Sequence, residues 1–308
     1  MANSNFLYSL DNKRYHTHNY HLKTTFGSKV VKVPLDAGFS CPNIDGTISC
    51  GGCIFCSDGS GPNSQKSLEE QYLEARQPLL QKWQTDKFIA YLQTHTNTYA
   101  PVSVLSDVYS RCLALPDCVG LTVSTRPDCI SDDVLELFSS LSEKTYFVVE
   151  LGLQSIFNKT LEIINRGHTF EVFLSTFEML KARGIKTAVH LINGLPYETP
   201  DEMTESVRTV GALRPFAMKL HLLYVERGSG IEQMWRDGLL PYFERDEYVR
   251  LLCDQIEYIP PEVVIERLTG DGRGELLLSP LWTRKKFAFL DEIDKEFERR
   301  QSFQGIKS

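Results

Sequence analysis

Four cysteines fall in one short stretch, Cys41-PNIDGTIS-Cys50-GG-Cys53-IF-Cys56, of a chain that has 8 in all. In a reducing compartment disulfides do not persist, so such crowding points to metal binding or catalysis. Two chemistries compete. One is a structural zinc site with four thiolate ligands. The other is a [4Fe–4S] cluster held by three thiolates. Its fourth iron, left open, can take the amino and carboxylate groups of S-adenosylmethionine (SAM). Zinc ribbons use two separate close-spaced pairs divided by a longer loop. Here the close pairs overlap at Cys53, which suits the three-thiolate cluster better. The closing Cys53-x-x-Cys56 puts two thiolates on one tight turn, Phe55 lies beside the last of them, and Gly51 and Gly52 let the backbone wrap an inorganic cube. The other cysteines, Cys112, Cys118, Cys129 and Cys253, lack partner spacing and read as inert buried thiols.

The elements that must carry this loop alternate in type. Strand-like runs at 29–38, 88–96, 119–128, 146–155, 185–194 and 217–226 are separated by helical periods at 67–83, 101–115, 131–143, 170–184 and 199–213. Ser67 with Glu70 forms a capping box, Ser131 an N-cap, and Pro200 a first-turn proline. Strand–helix alternation predicts an α/β fold with a parallel sheet, either a partial (β/α)6 TIM-type barrel or a doubly wound sheet. In both, the site lies at the carboxyl ends of the strands. A polar, aromatic N-terminal arm over 1–28, a barrel over 29–244 and a small α/β extension over 245–308 complete the expected organisation. His16, His18 and His21 in the arm could ligate a metal, but a solvated lead-in is the favoured reading.

Several side chains are expected at those carboxyl ends. Glu150 and Gln154 close strand four, where a carboxylate can accept two ribose hydroxyls. Arg126 follows strand three and can pair bidentately with a carboxylate, held by Asp128; a purely structural ion pair is the alternative. Gln93, Thr96 and Asn97 follow strand two, and Gly194 and Glu198 follow strand five. Lys219 and His221 share one face of strand six; the spacing leaves open whether that face is the interior.

The net charge is −7, and no apolar run approaches the length of a membrane helix. A soluble cytoplasmic protein without membrane contact is expected. The acidic balance argues against a large nucleic-acid interface, though not against a local basic patch.

The cysteine segment resembles the radical SAM superfamily, and within it the YtqA/YhcC-type family, related to the radical domain of the Elongator catalytic subunit. The shared pattern is Cys-PN-x-DGT followed by GGC-x-FC, and the resemblance runs along nearly the whole chain. It implies a radical SAM partial barrel, with Cys41, Cys53 and Cys56 as ligands of a [4Fe–4S] cluster and SAM as second cofactor. Cys50 departs from the pattern and reads as a spectator thiol. By the same resemblance, Glu150 and Gln154 belong to a ribose-binding element, and Gly194 and Glu198 to one that lets backbone approach adenine. Gln93, Thr96 and Asn97 stand where the SAM amino group is bound, without the usual glycines. The implied activity is reductive SAM cleavage, fed by a donor such as flavodoxin or ferredoxin. The implied substrate is the wobble uridine of tRNA, its C5 side chain remodelled from carboxymethylaminomethyl toward aminomethyl. Lys13, Arg14, Lys23, Lys29, Arg284, Lys285, Lys286, Arg299 and Arg300 are the candidate phosphate contacts. A radical enzyme acting on a protein or small metabolite, and a non-catalytic zinc-binding module, are the alternatives.

Overall fold

The computed structural model describes residues 11–56, 65–270 and 272–308. Residues 1–10 of the expected arm and Asp271 of the TGDGR loop lie outside them. The elements run α1 (His18–Phe26), β1 (Val31–Leu35), α2 (Leu68–Trp83), β2 (Phe88–Leu92), α3 (Val102–Leu113), β3 (Cys118–Thr125), α4 (Asp132–Lys144), β4 (Tyr146–Gln154), α5 (Asn158–Ile163) and α6 (Phe170–Ala182). They continue with β5 (Lys186–Asn193), α7 (Pro200–Ala212), β6 (Ala217–Leu222), β7 (Val225–Glu226), α8 (Glu232–Arg236), α9 (Arg245–Ile256), β8 (Val264–Arg267), β9 (Leu277–Ser279) and α10 (Lys286–Arg300). Ser67 and Glu70 form their reciprocal cap at the start of α2, and Ser131 caps α4.

One sheet of seven strands, ordered β1-β2-β3-β4-β5-β6-β8, is parallel throughout. Alternate residues face opposite ways. Val33, Leu35, Leu121, Val149, Val189 and Leu220 join the helices in one continuous core. The intervening residues, among them Tyr91, Glu150, His190 and Lys219, line the concave face. The two outer strands of the sheet meet through side chains: Lys32 on β1 donates to Glu266 on β8 at 2.7 Å. The sheet is therefore a curled half-barrel with helices outside, not a flat doubly wound sheet.

Three expectations change. The barrel has seven parallel strands rather than six, because the 264–267 run expected in the extension pairs with β6. Residues 225–226, expected to continue strand six, instead pair antiparallel with β9. The described part of the arm is no solvated lead-in. Thr17 caps α1 and bridges to Ile265, continuing the sheet past β8. Leu22 and Phe26 then plug the amino-terminal mouth against Val30, Ile89 and Tyr146. Gln304, near the carboxyl end, accepts from His16 N–H at 2.8 Å and donates to Pro260 and Val263 carbonyls, tying both ends of the chain together. His18 faces Glu266 at 3.8 Å while the His16 and His21 rings lie tilted, 6.0 Å apart, nearby. Burial pushes His18 down to about 3 and His21 to about 4, which favours neutral, half-buried rings. Among the described residues no helix is long and apolar enough to cross a membrane.

Candidate active site

The cysteine loop follows β1 and lies over the carboxyl end of the sheet, where it roofs a cavity of about 430 Å³. Cys41, Cys53 and Cys56 line that cavity and Cys50 does not. Turns fix the three: Ile44 N–H and Asp45 N–H donate to Cys41 O, and Cys56 N–H donates to Cys53 O at 2.9 Å. Cys50 is exposed, on a bridge with Asp45 at the outer edge of the loop. Among the described residues no three His, Cys, Asp or Glu groups gather around a single-ion site.

The loop is clamped to the Asn165-Arg166-Gly167 turn that follows α5. Asn165 donates to Gly52 O at 2.8 Å and accepts from Ser49 Oγ at 2.8 Å, while Ile54 N–H donates to Ile164 O. Asn43, fully buried, donates to Asn165 O and Arg166 O and points its amide at Cys53 Sγ, 3.6 Å away. Arg166 places Nη1 3.7 Å from the same sulfur and grips Gly152 O with Nε and Nη2. The Cys56 thiol and this guanidinium together favour a thiolate at Cys53, which ionises before Cys56. Asn43, Asn165 and Arg166 were missed in the sequence reading. The one signal available was the polar INRGH run interrupting an otherwise helical stretch.

Gly167 makes the clamp possible. Its φ is +76°, and a Cβ there would sit 3.0 Å from Ile48 and 3.2 Å from Arg126 Nη2, with Asn43 Oδ1 closer still. Gly167→Ala is expected to cost about 1–3 kcal/mol in backbone strain and to push the cysteine loop outward. Anaerobically reconstituted G167A protein should keep its far-UV circular dichroism but hold much less iron. Full iron content with an unchanged melting temperature would show that the loop does not depend on this turn.

The predicted strand-end residues divide into two groups. Phe55, Gln93, Thr96, Arg126, Glu150 and Gln154 line the cavity. Asn97, Gly194 and Glu198 do not. Asn97 spends its amide on the carbonyls of Leu92, Thr94 and Ser124, so it staples the β2 loop. Gly194 packs under Leu223 and Phe243. Glu198 is buried away from the cavity and accepts from Ser155 Oγ, and burial raises its carboxyl. Arg126 is in the wall, but its donors go to Asp128, at 2.9 and 2.7 Å, and to Arg166 O at 2.8 Å. This is the structural ion pair, not a guanidinium free for a carboxylate. Glu150 is likewise committed: its carboxylate accepts from Tyr91 Oη at 3.0 and 3.1 Å and pairs with Lys219. Lys219 and His221 do face the interior, where Lys219 also approaches Glu266 at 3.6 Å and His221 Nδ1 lies 3.2 Å from His190 Nε2.

Four buried polar atoms on this wall have no hydrogen-bond partner: Thr94 Oγ1, Thr96 Oγ1, Gln154 Oε1 and His221 Nε2. An unsatisfied buried group costs about 1–3 kcal/mol, so their clustering in one cavity fits a polar ligand that completes them. Gln154 adds backbone strain, at φ +77° where the β4–β5 register shifts. The donor set therefore fits both expected groups, three thiols for a cluster and a polar-lined cavity for SAM.

The cationic candidates also divide. Lys13, Lys23, Arg299 and Arg300 are paired with Asp294, Asp11, Glu296 and Asp254 respectively. Lys29 contacts Asn19 and Trp83 beside the plugged end, and Arg14 donates to Ser302 O. Arg284, Lys285 and Lys286 stand at the turn into α10. Of the other cysteines, Cys112 and Cys253 are buried, and burial pushes Cys112 up to about 12. Cys118 and Cys129 are only half-buried.

A curled parallel half-barrel with a thiol-lined cavity at its carboxyl end defines an iron–sulfur enzyme architecture, and the sequence comparisons specify it. Residues 48–210 match the family model described as the radical SAM superfamily, and 215–299 match the radical SAM C-terminal domain. The chain belongs to the radical SAM superfamily and is an enzyme of that class, whose cofactors are a [4Fe–4S] cluster and SAM. It is 45% identical to the protein YtqA of Bacillus subtilis over 99% of this chain and 96% of that one. It is 29% identical to a tRNA uridine(34) acetyltransferase of Methanocaldococcus infernus, over 50% of this chain and 29% of that one. The archaeal Elp3 structure from Methanocaldococcus infernus shares the fold, with a TM-score of 0.68 at 19% identity over 90% of this chain and 64% of that one.

Proposed function

We propose that this enzyme modifies the C5 side chain of tRNA wobble uridine, converting carboxymethylaminomethyl toward aminomethyl, with Cys41, Cys53 and Cys56 holding the cluster. The observation that carries the substrate is kinship. Half of this chain aligns at 29% identity with a protein named as a tRNA uridine(34) acetyltransferase. When bound and reduced, the cluster with SAM supplies a 5′-deoxyadenosyl radical that can take hydrogen from an unactivated carbon.

The chain's own residues do the rest. Arg166 and Asn43 aim donors at Cys53 Sγ, and the guanidinium favours a thiolate there. Gln154 and Thr96 offer the cofactor's polar groups the partners that they themselves lack. Tyr91, Glu150 and Lys219 form a buried ionic floor that keeps the cavity rigid. The plugged amino-terminal mouth leaves the carboxyl-end mouth as the route of entry, and limits the water that reaches the cavity from below.

Nucleoside analysis of tRNA from a strain lacking this enzyme tests the substrate. The wobble position should accumulate the carboxymethylaminomethyl form and lose its downstream products. Wobble uridines identical to those of the parent strain would overturn the tRNA reading.

A further inference from the structure

The cavity wall carries a pair of rings to which the chemistry described so far gives no part. His190 on β5 and His221 on β6 both line the cavity, with ring centroids 5.1 Å apart and an interplanar angle of 24°. His190 Nε2 lies 3.2 Å from His221 Nδ1, so one nitrogen donates and the other accepts. Burial pushes His190 down to about 3. Burial, followed by His190, Arg267, Lys219 and Lys286, holds His221 well below its ordinary value. Both shifts favour neutral rings.

Glu150 decides how the pair is aligned. Its Oε1 stands 3.8 Å from His190 Nδ1. A carboxylate only accepts, so the proton of His190 is favoured on the nitrogen that faces it. His190 Nε2 then accepts from His221 Nδ1–H, and His221 keeps a lone pair on Nε2. That atom is buried and has no hydrogen-bond partner. No side chain competes for the position beside it, because the neighbour there is Gly270; a Cβ on that residue would come within 2.8 Å of the nitrogen. A buried acceptor left unpaired costs stability, and an N–H or O–H from a ligand would complete it. The surrounding charge narrows the choice. Arg267, Lys219 and Lys286 all disfavour positive charge on this ring, so a neutral donor suits it better than an ammonium ion.

On the tRNA reading, the C5 side chain is the part of the substrate that must enter the cavity. Its one N–H, in the neutral form, belongs to the amine that loses the carboxymethyl group. We infer that His221 Nε2 is the subsite for this amine and accepts its hydrogen bond, with His190 and Glu150 as the positioning residues that keep the acceptor in its tautomer. This rests on the tRNA reading and adds to it the residue that recognises the substituent to be changed.

The test uses full-length, cluster-loaded protein with SAM and without reductant, so that nothing turns over. Two fluorescent anticodon stem-loop RNAs are compared by anisotropy. In one the wobble uridine carries carboxymethylaminomethyl; in the other it carries the ether analogue, with oxygen in place of the N–H. The wild type should bind the amine RNA about tenfold tighter, since the ether leaves the acceptor without a donor. His221→Asn keeps an amide that can meet His190 but withdraws the outer nitrogen, and it should bind the two RNAs equally. His221→Gln, which can place an oxygen near the lost nitrogen, should restore part of the preference. His190→Leu, which releases the tautomer, should lower it. A wild type that binds both RNAs equally well overturns the inference without any variant, and so does a full preference kept by His221→Asn; in either case the tRNA reading stands. If the wild type binds neither RNA, both fall.

Discussion

Cys53→Ala protein, prepared and reconstituted without oxygen, should hold essentially no cluster, and the same is expected of Cys41→Ala and Cys56→Ala, whereas Cys50→Ala should hold the wild-type amount. The geometry separates the four thiols. Cys41, Cys53 and Cys56 line the cavity, the first two buried and Cys56 exposed, while Cys50, also exposed, does not line it and lies beside Gly46. Cys53 has the strongest local support, since Asn43 and Arg166 both point donors at its sulfur. Groups around a metal-bound sulfur tune the centre as much as its ligands do. A cube with three protein thiolates keeps one iron for SAM, and a fourth thiolate would occupy that iron. The measurement is iron and sulfide content, with about four of each per chain expected for the wild type and for C50A. Loss of the cluster in C50A with retention in C41A would reverse the ligand assignment.

The second large effect is on stability. Lys219→Met should destabilise the fold by about 3–5 kcal/mol and lower the melting temperature by on the order of 5–10 °C. Lys219 is buried between the carboxylates of Glu150 and Glu266 and also donates to Tyr91 Oη at 3.0 Å. These groups hang from β2, β4, β6 and β8, so one ammonium ties together strands from across the half-barrel. Removing it leaves Glu150 buried without the ammonium it pairs with. The pH dependence has a definite sign. Burial alone would raise Glu150, but Lys219, then His190 and Lys32, hold it below the usual carboxylate range. In the wild type this group adds stability above its unfolded pKa, and that stability fades as the pH falls through the folded one. Without Lys219 the desolvation dominates, the folded pKa rises, and acid protonates the buried carboxyl and relieves its cost. The stability gap between wild type and variant should therefore narrow from pH 8 to pH 5. Thermal unfolding at the two pH values checks it. A gap that is absent, or that widens in acid, would mean that the Glu150–Lys219 pair does not hold the floor.

Local signals carried much of this architecture. The Ser67–Glu70 box, the Ser131 cap and the alternation of strands and helices are short-range patterns, and they reappear as the caps and the parallel order of the sheet. The cysteine spacing was equally local, and it singled out the three thiols that line the cavity. What failed was long-range. The four-residue strand β8 joins the barrel only because β6 offers it an edge. The arm looked polar because its histidines are, yet Leu22 and Phe26 find a barrel mouth to plug. Asn97 and Glu198 sit at the right strand ends but turn to backbone and hydroxyl partners, a choice of rotamer that spacing does not encode. Arg166 reaches Cys53 across 113 residues of chain, which no window of sequence spans.

The most direct test of the account is chemical. Purified enzyme with a fully reconstituted cluster, given SAM and a strong low-potential reductant without oxygen, should release 5′-deoxyadenosine and methionine, and C53A protein treated identically should not. Wild-type protein that carries the full complement of iron and sulfide yet leaves SAM intact would contradict the claim that three thiolates leave one iron open to it.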